Sequence, residues 1–472
     1  MAGASGTFAI SATKPTRAEQ AALRRTVWGL AAPAIGEQLL ALGVGVSDTF
    51  LSGHLSTQAS AVLGYGQATA VAAVGAAGMI TWMVLTAFFS INVGVTALVA
   101  RATGARDGDL ARRAAAQGVL LGLLAGTILL ALSAPLADVI TLALGVNGQV
   151  ATLTAAFIRV WSLGLPLTGV ASACTAAMRG AGDTRRPVIV MLAVNGINIL
   201  ASWLLLNGSP RLGLAPIGVI GSACGAALGW VLGAVLALAL LWRAHPKAPT
   251  LTMASFRPRW DVMRRILYVG LPSAAELLVF QLGVLGFNRQ VVSLGPTAYA
   301  ANVTINTVES LGTLPAVGFG VAATALVGQS LGAGNPQRAA QATIEALRPC
   351  LVLMLALGAL AALTPQMLLG LFIADPTVFA AGDFAMRLSL FILPSSGMTF
   401  VINGALRGAG DTKFPVVMRT IGPWGVRVPL AILLIPLWGL PGARLAMALD
   451  YWTQLGLGVW RFRSGSWRAS RV

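Results

Sequence analysis

Long apolar runs, broken at intervals by glycine, proline and small clusters of charge, make up most of the chain. The runs Gly118 to Leu136, Val188 to Leu206 and Gly213 to Leu241 contain no charged residue, and each, as a helix, is long enough to cross a hydrocarbon layer of about 30 Å. Strands of a membrane barrel would alternate apolar and polar positions with period two. These runs are apolar on every face and rich in Ala, Leu and Gly, which predicts helices. The spacing of the runs predicts twelve spans, near 27–51, 71–98, 114–137, 151–174, 187–207 and 215–242, then 266–292, 300–327, 342–364, 380–403, 415–436 and 441–460. The Pro- and Arg-rich stretch between the two sets reads as a linker.

Composition agrees with a protein dissolved in lipid. Of 472 residues, 56% are apolar and only 10% charged, with a mean hydropathy of +0.79, far from the roughly 25% charge of soluble domains. The net charge of +17 would suggest nucleic acid in a soluble protein, but the basic residues are unevenly placed. With a cytoplasmic N-terminus, 26 of the 32 fall in the first tail and in alternate loops, and only Arg211 and Arg444 in the opposite loops. That is the positive-inside pattern. It excludes a nucleic-acid partner and predicts an inner-membrane, multi-pass protein with both termini in the cytoplasm. The chain then divides into a tail (1–26), a first six-helix lobe (27–242), a linker (243–265), a second lobe (266–460) and a basic tail (461–472). The polar start has no signal-peptide core, and Cys174, Cys224 and Cys350 lack pairing or metal spacing and read as packing residues.

The halves repeat each other. Arg179-Gly-Ala-Gly-Asp-Thr184 recurs as Arg407-Gly-Ala-Gly-Asp-Thr412, an offset of 228 that also relates Arg159 to Arg387, Pro166 to Pro394 and Gly104 to Gly332. Near the start of each half the offset is 239, pairing Pro33 with Pro272 and Glu37 with Glu276, so about eleven extra residues lie between Thr57 and Val71. Both hexapeptides carry basic neighbours and face the same side, so each repeat has an even number of spans. Parallel six-helix repeats about an axis along the membrane normal are a transporter arrangement. Asp183 and Asp411 read as helix caps.

Nothing suggests an enzyme. No lysine follows a glycine, which excludes a Walker loop; two histidines and three scattered cysteines draw no zinc site, and no cofactor is expected. What remains is acid inside apolar segments: Glu37, Asp48, Glu276, Glu309 and Asp450. A carboxylate near the bilayer centre costs on the order of 3 kcal/mol, so such groups face water, pair, or take up a proton. Glu37 and Asp48, eleven residues apart, share a helix face about 16 Å apart along the axis. Phe287 stands where the second half would repeat Asp48, and Thr81 where the first would repeat Glu309, so the lobes are chemically unequal. The alternative for these acids is pairing with intramembrane arginine, Arg427 or Arg444 in the case of Asp450. Asn195, Asn198 and Ser202 recur at helical spacing on the fifth span, either completing a site with Asp48 or bonding helix to helix. Arg159 and Arg387 suit anchoring at the headgroups.

The stretch Pro33-x-x-x-Glu37-Gln with Ser47-Asp48-Thr-Phe-Leu-Ser-Gly53-His54, its partner Leu271-Pro-Ser-Ala-Ala-Glu276, the doubled RGAGDT turns and Gly328-Gln-Ser-Leu-Gly332-Ala-Gly334 resemble the multidrug and toxic compound extrusion family across residues 25 to 460. The resemblance implies an all-α membrane protein of twelve transmembrane helices in two pseudo-symmetric six-helix lobes arranged as a V, exporting cationic or amphipathic small molecules against inward H⁺ or Na⁺. It places the family's first-helix acid on Asp48 and its fifth-helix asparagine on Asn198. The family's further Asp is Ser202 here, and its seventh-helix acid meets Phe280, with Glu276 one turn earlier.

The resulting expectation is a secondary multidrug antiporter, acting as a monomer in the bilayer. Asp48 and Glu37, with Asn198, Asn195 and Ser202, would bind the coupling cation, Na⁺ being allowed at Asp48 and no other metal expected. Glu276, Glu309, Gln281 and Asn306 would bind the cargo. The rivals are a lipid-linked oligosaccharide flippase, which would want a basic cavity, and a non-transporting scaffold or receptor.

Overall fold

The computed structural model describes residues 16–243, 249–372 and 375–470. Lys14, Lys247 and Arg471, three of the 32 basic residues, and one of the two histidines, His245, lie outside them. The described residues are helical nearly throughout and contain no strand, only an isolated bridge between Ser209 and Leu214.

The first lobe contains α1 (Arg17–Gly53), α2 (Gln67–Gly104), α3 (Gly108–Ser133), α4 (Gly148–Ser162 and Leu165–Gly180), α5 (Arg185–Asn207) and α6 (Val219–Trp242). The second contains α7 (Trp260–Val292), α8 (Pro296–Gly332), α9 (Pro336–Leu363) and α10 (Pro376–Arg387 and Ser389–Ala409). Its last span pair begins at Lys413–Thr420, passes through a π turn at Ile421–Arg427 and continues as Val428–Ser464. A break at Gly439 (φ 59°, ψ −136°) divides this stretch into α11 (413–438) and α12 (440–464). Among the described residues, ten helical stretches are long and apolar enough to span a membrane, eleven with the bent α4, and the break at Gly439 brings the number to twelve. The extra residues of the first half form a short helix, Thr57–Leu63, between α1 and α2.

The repeat extends to backbone detail. Gly182 (φ 86°) and Gly410 (φ 84°) occupy the same left-handed turn in the two hexapeptides, a conformation that glycine adopts without steric cost. Gly218 (φ 60°, ψ −133°) starts α6 as Gly439 starts α12. Asp107 caps α3 through the Leu110 amide and Asn335 caps α9 through that of Arg338. Asp183 accepts from the amides of Arg185 and Arg186 as expected of a cap, whereas Asp411 holds Arg461 at 2.8 Å. Proline roles differ within the repeat: Pro33, Pro272 and Pro394 lie inside continuous helices, while Pro166 opens the second segment of α4 after a 55° bend.

The lobes meet at the end that carries the arginine-rich turns and part at the other. The core at the far end of each arm draws on one lobe alone, Leu51 to Ala226 in one and Phe287 to Ala446 in the other. At the basic end the first helices are exchanged. Leu23, Val27, Leu30 and Ala31 of α1 pack into the second lobe's core, and Val262 and Ile266 of α7 into the first's. Arg24 of α1 also reaches buried Glu345 of α9 at 3.1 Å. Backbones touch across this seam: a methyl group on Gly104 would fall 1.9 Å from the carbonyl oxygen of Gln329, and one on Gly332 would fall 2.0 Å from that of Arg101. Each of these residues also reaches the opposite lobe's hexapeptide turn. Gln329 donates to the Gly180 carbonyl at 3.0 Å, and Arg101 to that of Ala409 at 3.3 Å. Farther along the same helices, Val46, Phe50, Met83, Leu278 and Leu285 are uncovered. The result is a V open at the end away from the basic turns.

Candidate functional site

Asp48 lies in the open half of α1, buried. One carboxylate oxygen, Oδ1, accepts three hydrogen bonds: from Asn198 Nδ2 at 3.0 Å, Ser222 Oγ at 3.0 Å and Ser202 Oγ at 3.4 Å. All three donors are neutral, and they come from α5 and α6. The convergence depends on a glycine face. Gly221, Gly225, Gly229 and Gly233 recur every four residues on α6 and lie against the α5 backbone or Val194, the close helix approach that small residues permit in membranes. A methyl on Gly225 would sit 2.1 Å from Ser202 Oγ and 2.6 Å from its amide nitrogen. The side-chain oxygen of Asn198 is buried without a partner, so an unused acceptor stands beside the carboxylate.

The other expected acids have a different environment. Glu37 is bonded to Arg179, and Glu276 to Arg407 at 2.7 and 2.8 Å with Arg419 at 3.6 Å. Because Glu37 matches Glu276 and Arg179 matches Arg407, this is one ion pair built twice, joining the first helix of each lobe to the fourth. Glu309 takes a hydrogen bond from Ser389 at 2.6 Å and is paired with Arg444, which also donates to Asn306 at 2.8 Å. Asp450 pairs with Arg427 at 2.7 Å and accepts from Gln454 at 2.6 Å. Pairing with intramembrane arginine, the alternative that the sequence left open, is thus what the fold contains for four of these acids: of the five, Asp48 alone has no arginine beside it among the described residues. The column of Glu37 and Asp48 holds on one helix, but no described bond joins them. Asn195 bridges the carbonyls of Leu40 and Met191, both at 2.9 Å, away from Asp48. Gln281 is exposed on α7. Arg444, read as an outer-loop residue, is fully buried in α12, because the α11–α12 connection is a tight turn at Gly439 and not a loop.

The MatE family model matches residues 33–204 and 272–433, two blocks that start at the equivalent prolines of the repeat and together cover most of the chain. The chain belongs to the MatE family. It is 30% identical over 453 residues, 95% of this chain and 94% of the relative, to a protein of Thermotoga maritima named a probable multidrug resistance protein NorM. A protein of Rhodopseudomonas palustris with the same printed name is 29% identical, over 97% of this chain and 94% of its own. Among solved structures, one titled as an outward-facing conformation of a multidrug resistance MATE family transporter aligns with a TM-score of 0.83 at 20% identity, covering 94% of this chain and 95% of that one. That likeness carries the fold: an all-α, multi-pass membrane protein of two V-arranged lobes.

Within this MatE chain, Ser222 is a site residue that the sequence reading passed over. Its signal was the glycine ladder of α6, which marks that helix as the close neighbour of α5 and puts the serine beside Gly221 on the packed side. The arginine partners had a signal too: Glu37 and Arg179 are both kept in the second copy, as a pair under one constraint would be.

Proposed function

We propose that the chain is a secondary antiporter that exports cationic or amphipathic organic compounds across the inner membrane in exchange for H⁺ or Na⁺, with the basic end of the V in the cytoplasm. The observation that carries this is the isolation of Asp48. Its neighbours donate neutral hydrogen bonds and bring no positive charge, so neutralisation of the carboxylate falls to something mobile. A proton or sodium ion arriving from the open side would supply that charge, and the unused oxygen of Asn198 is a second ligand of the type sodium prefers. A cationic cargo competes for the same charge: when the coupling cation enters, the cargo loses its counter-charge and leaves, and the lobes reset around the α1 and α7 seam. The names of the relatives support drug export. Glu37, Glu276 and Glu309, held by arginines, serve in this reading to fix the first helices and α8 within their lobes.

The test is efflux of an ethidium-like cation from proteoliposomes under an imposed pH gradient and then an imposed sodium gradient. Response to one alone names the ion. Asp48→Asn keeps an acceptor for Asn198, Ser202 and Ser222 and so should insert and melt like the parent while losing gradient-driven efflux. Full efflux by that variant overturns the role of Asp48.

A further inference from the structure

The charged clusters of the two lobes differ in the buried hydrogen-bonding groups they leave over. In the first lobe the unpartnered atoms at the charged cluster are acceptors, Glu37 Oε2 and Asn198 Oδ1. Around Glu276 in the second they include two guanidinium donors, Arg407 Nε and Arg419 Nη1, beside the Ser273 hydroxyl and the Asn403 amide, each one turn away on α7 and α10. The charges differ in the same sense. Glu276 faces Arg407 and Arg419, while Arg427 and Asp450 close on each other. Three cations thus meet two anions, and the surplus rests on Arg419, whose side chain is only 6% exposed.

A desolvated guanidinium without its own counter-charge is costly. The rings of Phe280 at 4.3 Å and Phe400 at 5.7 Å face it, an interaction that recovers part of that cost but leaves its N–H group unfilled. The repeat does not account for it, because the matching position in the first half is Met191. Just beyond Arg419 the helix widens into the π turn Ile421–Arg427, an irregularity that often accompanies functional sites in helices. Of the lobe's other unpartnered acceptors, Gln454 Oε1 belongs to the Asp450 side, where Gln454 itself donates, and Glu309 Oε2 to the pair with Arg444.

We infer that the second lobe binds a carboxylate through Arg419 Nη1 and Arg407 Nε, and that the compound carrying it is the transported cargo. The cargo that satisfies both lobes is amphoteric, with a cationic group competing at Asp48 and a carboxylate received at Arg419. The identity of the carrier rests on the antiporter reading; the carboxylate site does not, since it can be measured without transport.

The experiment is calorimetric titration of the purified full-length protein with sodium benzoate and with benzamide, its uncharged isostere, at fixed ionic strength. Benzoate should bind saturably and benzamide not at all. Arg419→Gln, which leaves the Arg407–Glu276 pair in place, should weaken benzoate roughly thirtyfold or more. Arg419→Lys should retain most of the binding, and Asp48→Asn should not change it. Equal binding of benzamide, or unchanged benzoate affinity in Arg419→Gln, overturns the site. If Arg419→Gln does not fold, the benzoate and benzamide comparison on the parent and on Arg419→Lys still decides. Benzoate binding that persists in a protein with no gradient-driven efflux would sink the antiporter reading and leave the carboxylate site standing.

Discussion

Both carboxylate oxygens of Glu276 accept from a single nitrogen of Arg407, at 2.7 and 2.8 Å, with both side chains largely out of water. The bond ties α7 to α10, as its copy ties α1 to α4. Removing one partner of a buried pair leaves an uncompensated charge, a loss of about 3–5 kcal/mol. Glu276→Gln should therefore lower the melting temperature in detergent markedly. Replacing Glu276 and Arg407 together by leucine should cost less than the single change. A single variant that melts like the parent would show that the pair contributes nothing to the fold.

The glycine face of α6 gives a second prediction. Gly225→Ala drives a methyl into the Ser202 amide, and overpacking of this kind costs about 1–3 kcal/mol. Because the clash falls on the shell of Asp48, gradient-driven efflux should fail along with stability. Gly75→Ala is the control, since nothing lies within 4 Å of a methyl there. Its melting and efflux should match the parent.

The seam gives a third. A side-chain carbon on Gly328 would stand 2.7 Å from Cβ of Ala100 across the lobes, about 1 Å inside the usual disulfide spacing. The pair Ala100→Cys with Gly328→Cys should cross-link under mild oxidant, hold the seam shut and stop efflux, with recovery on reduction. Efflux that continues through the cross-linked protein would mean that these helices need not separate during transport.

How far the sequence could be read depended on the kind of constraint. The spans and the repeat were legible because lipid imposes a uniform apolar demand, and because turns such as Gly182 and Gly410 keep the same residues where one backbone conformation is required. The acids were legible as exceptions to that demand. Their partners were harder to see: Arg179 lies 142 positions from Glu37 and Arg407 lies 131 from Glu276, and counting acids alone suggested a negative second lobe that its arginines make positive. Arg444 was misplaced for a local reason, since a turn made by one glycine looks in sequence like a short loop. Asn198 and Ser202 followed from helical spacing, whereas Ser222, contributed by the next helix, became visible only once the glycine ladder was seen to bring α6 against α5.

The exchange of α1 and α7 at the basic end has an evolutionary and practical consequence. Neither six-helix unit can complete its own interior, since each lacks the helix start that its sister contributes. A gene cut within the linker should yield two fragments that are unfit apart and productive when made together. The duplication is thus locked in: either half reaches a filled interior only beside its sister.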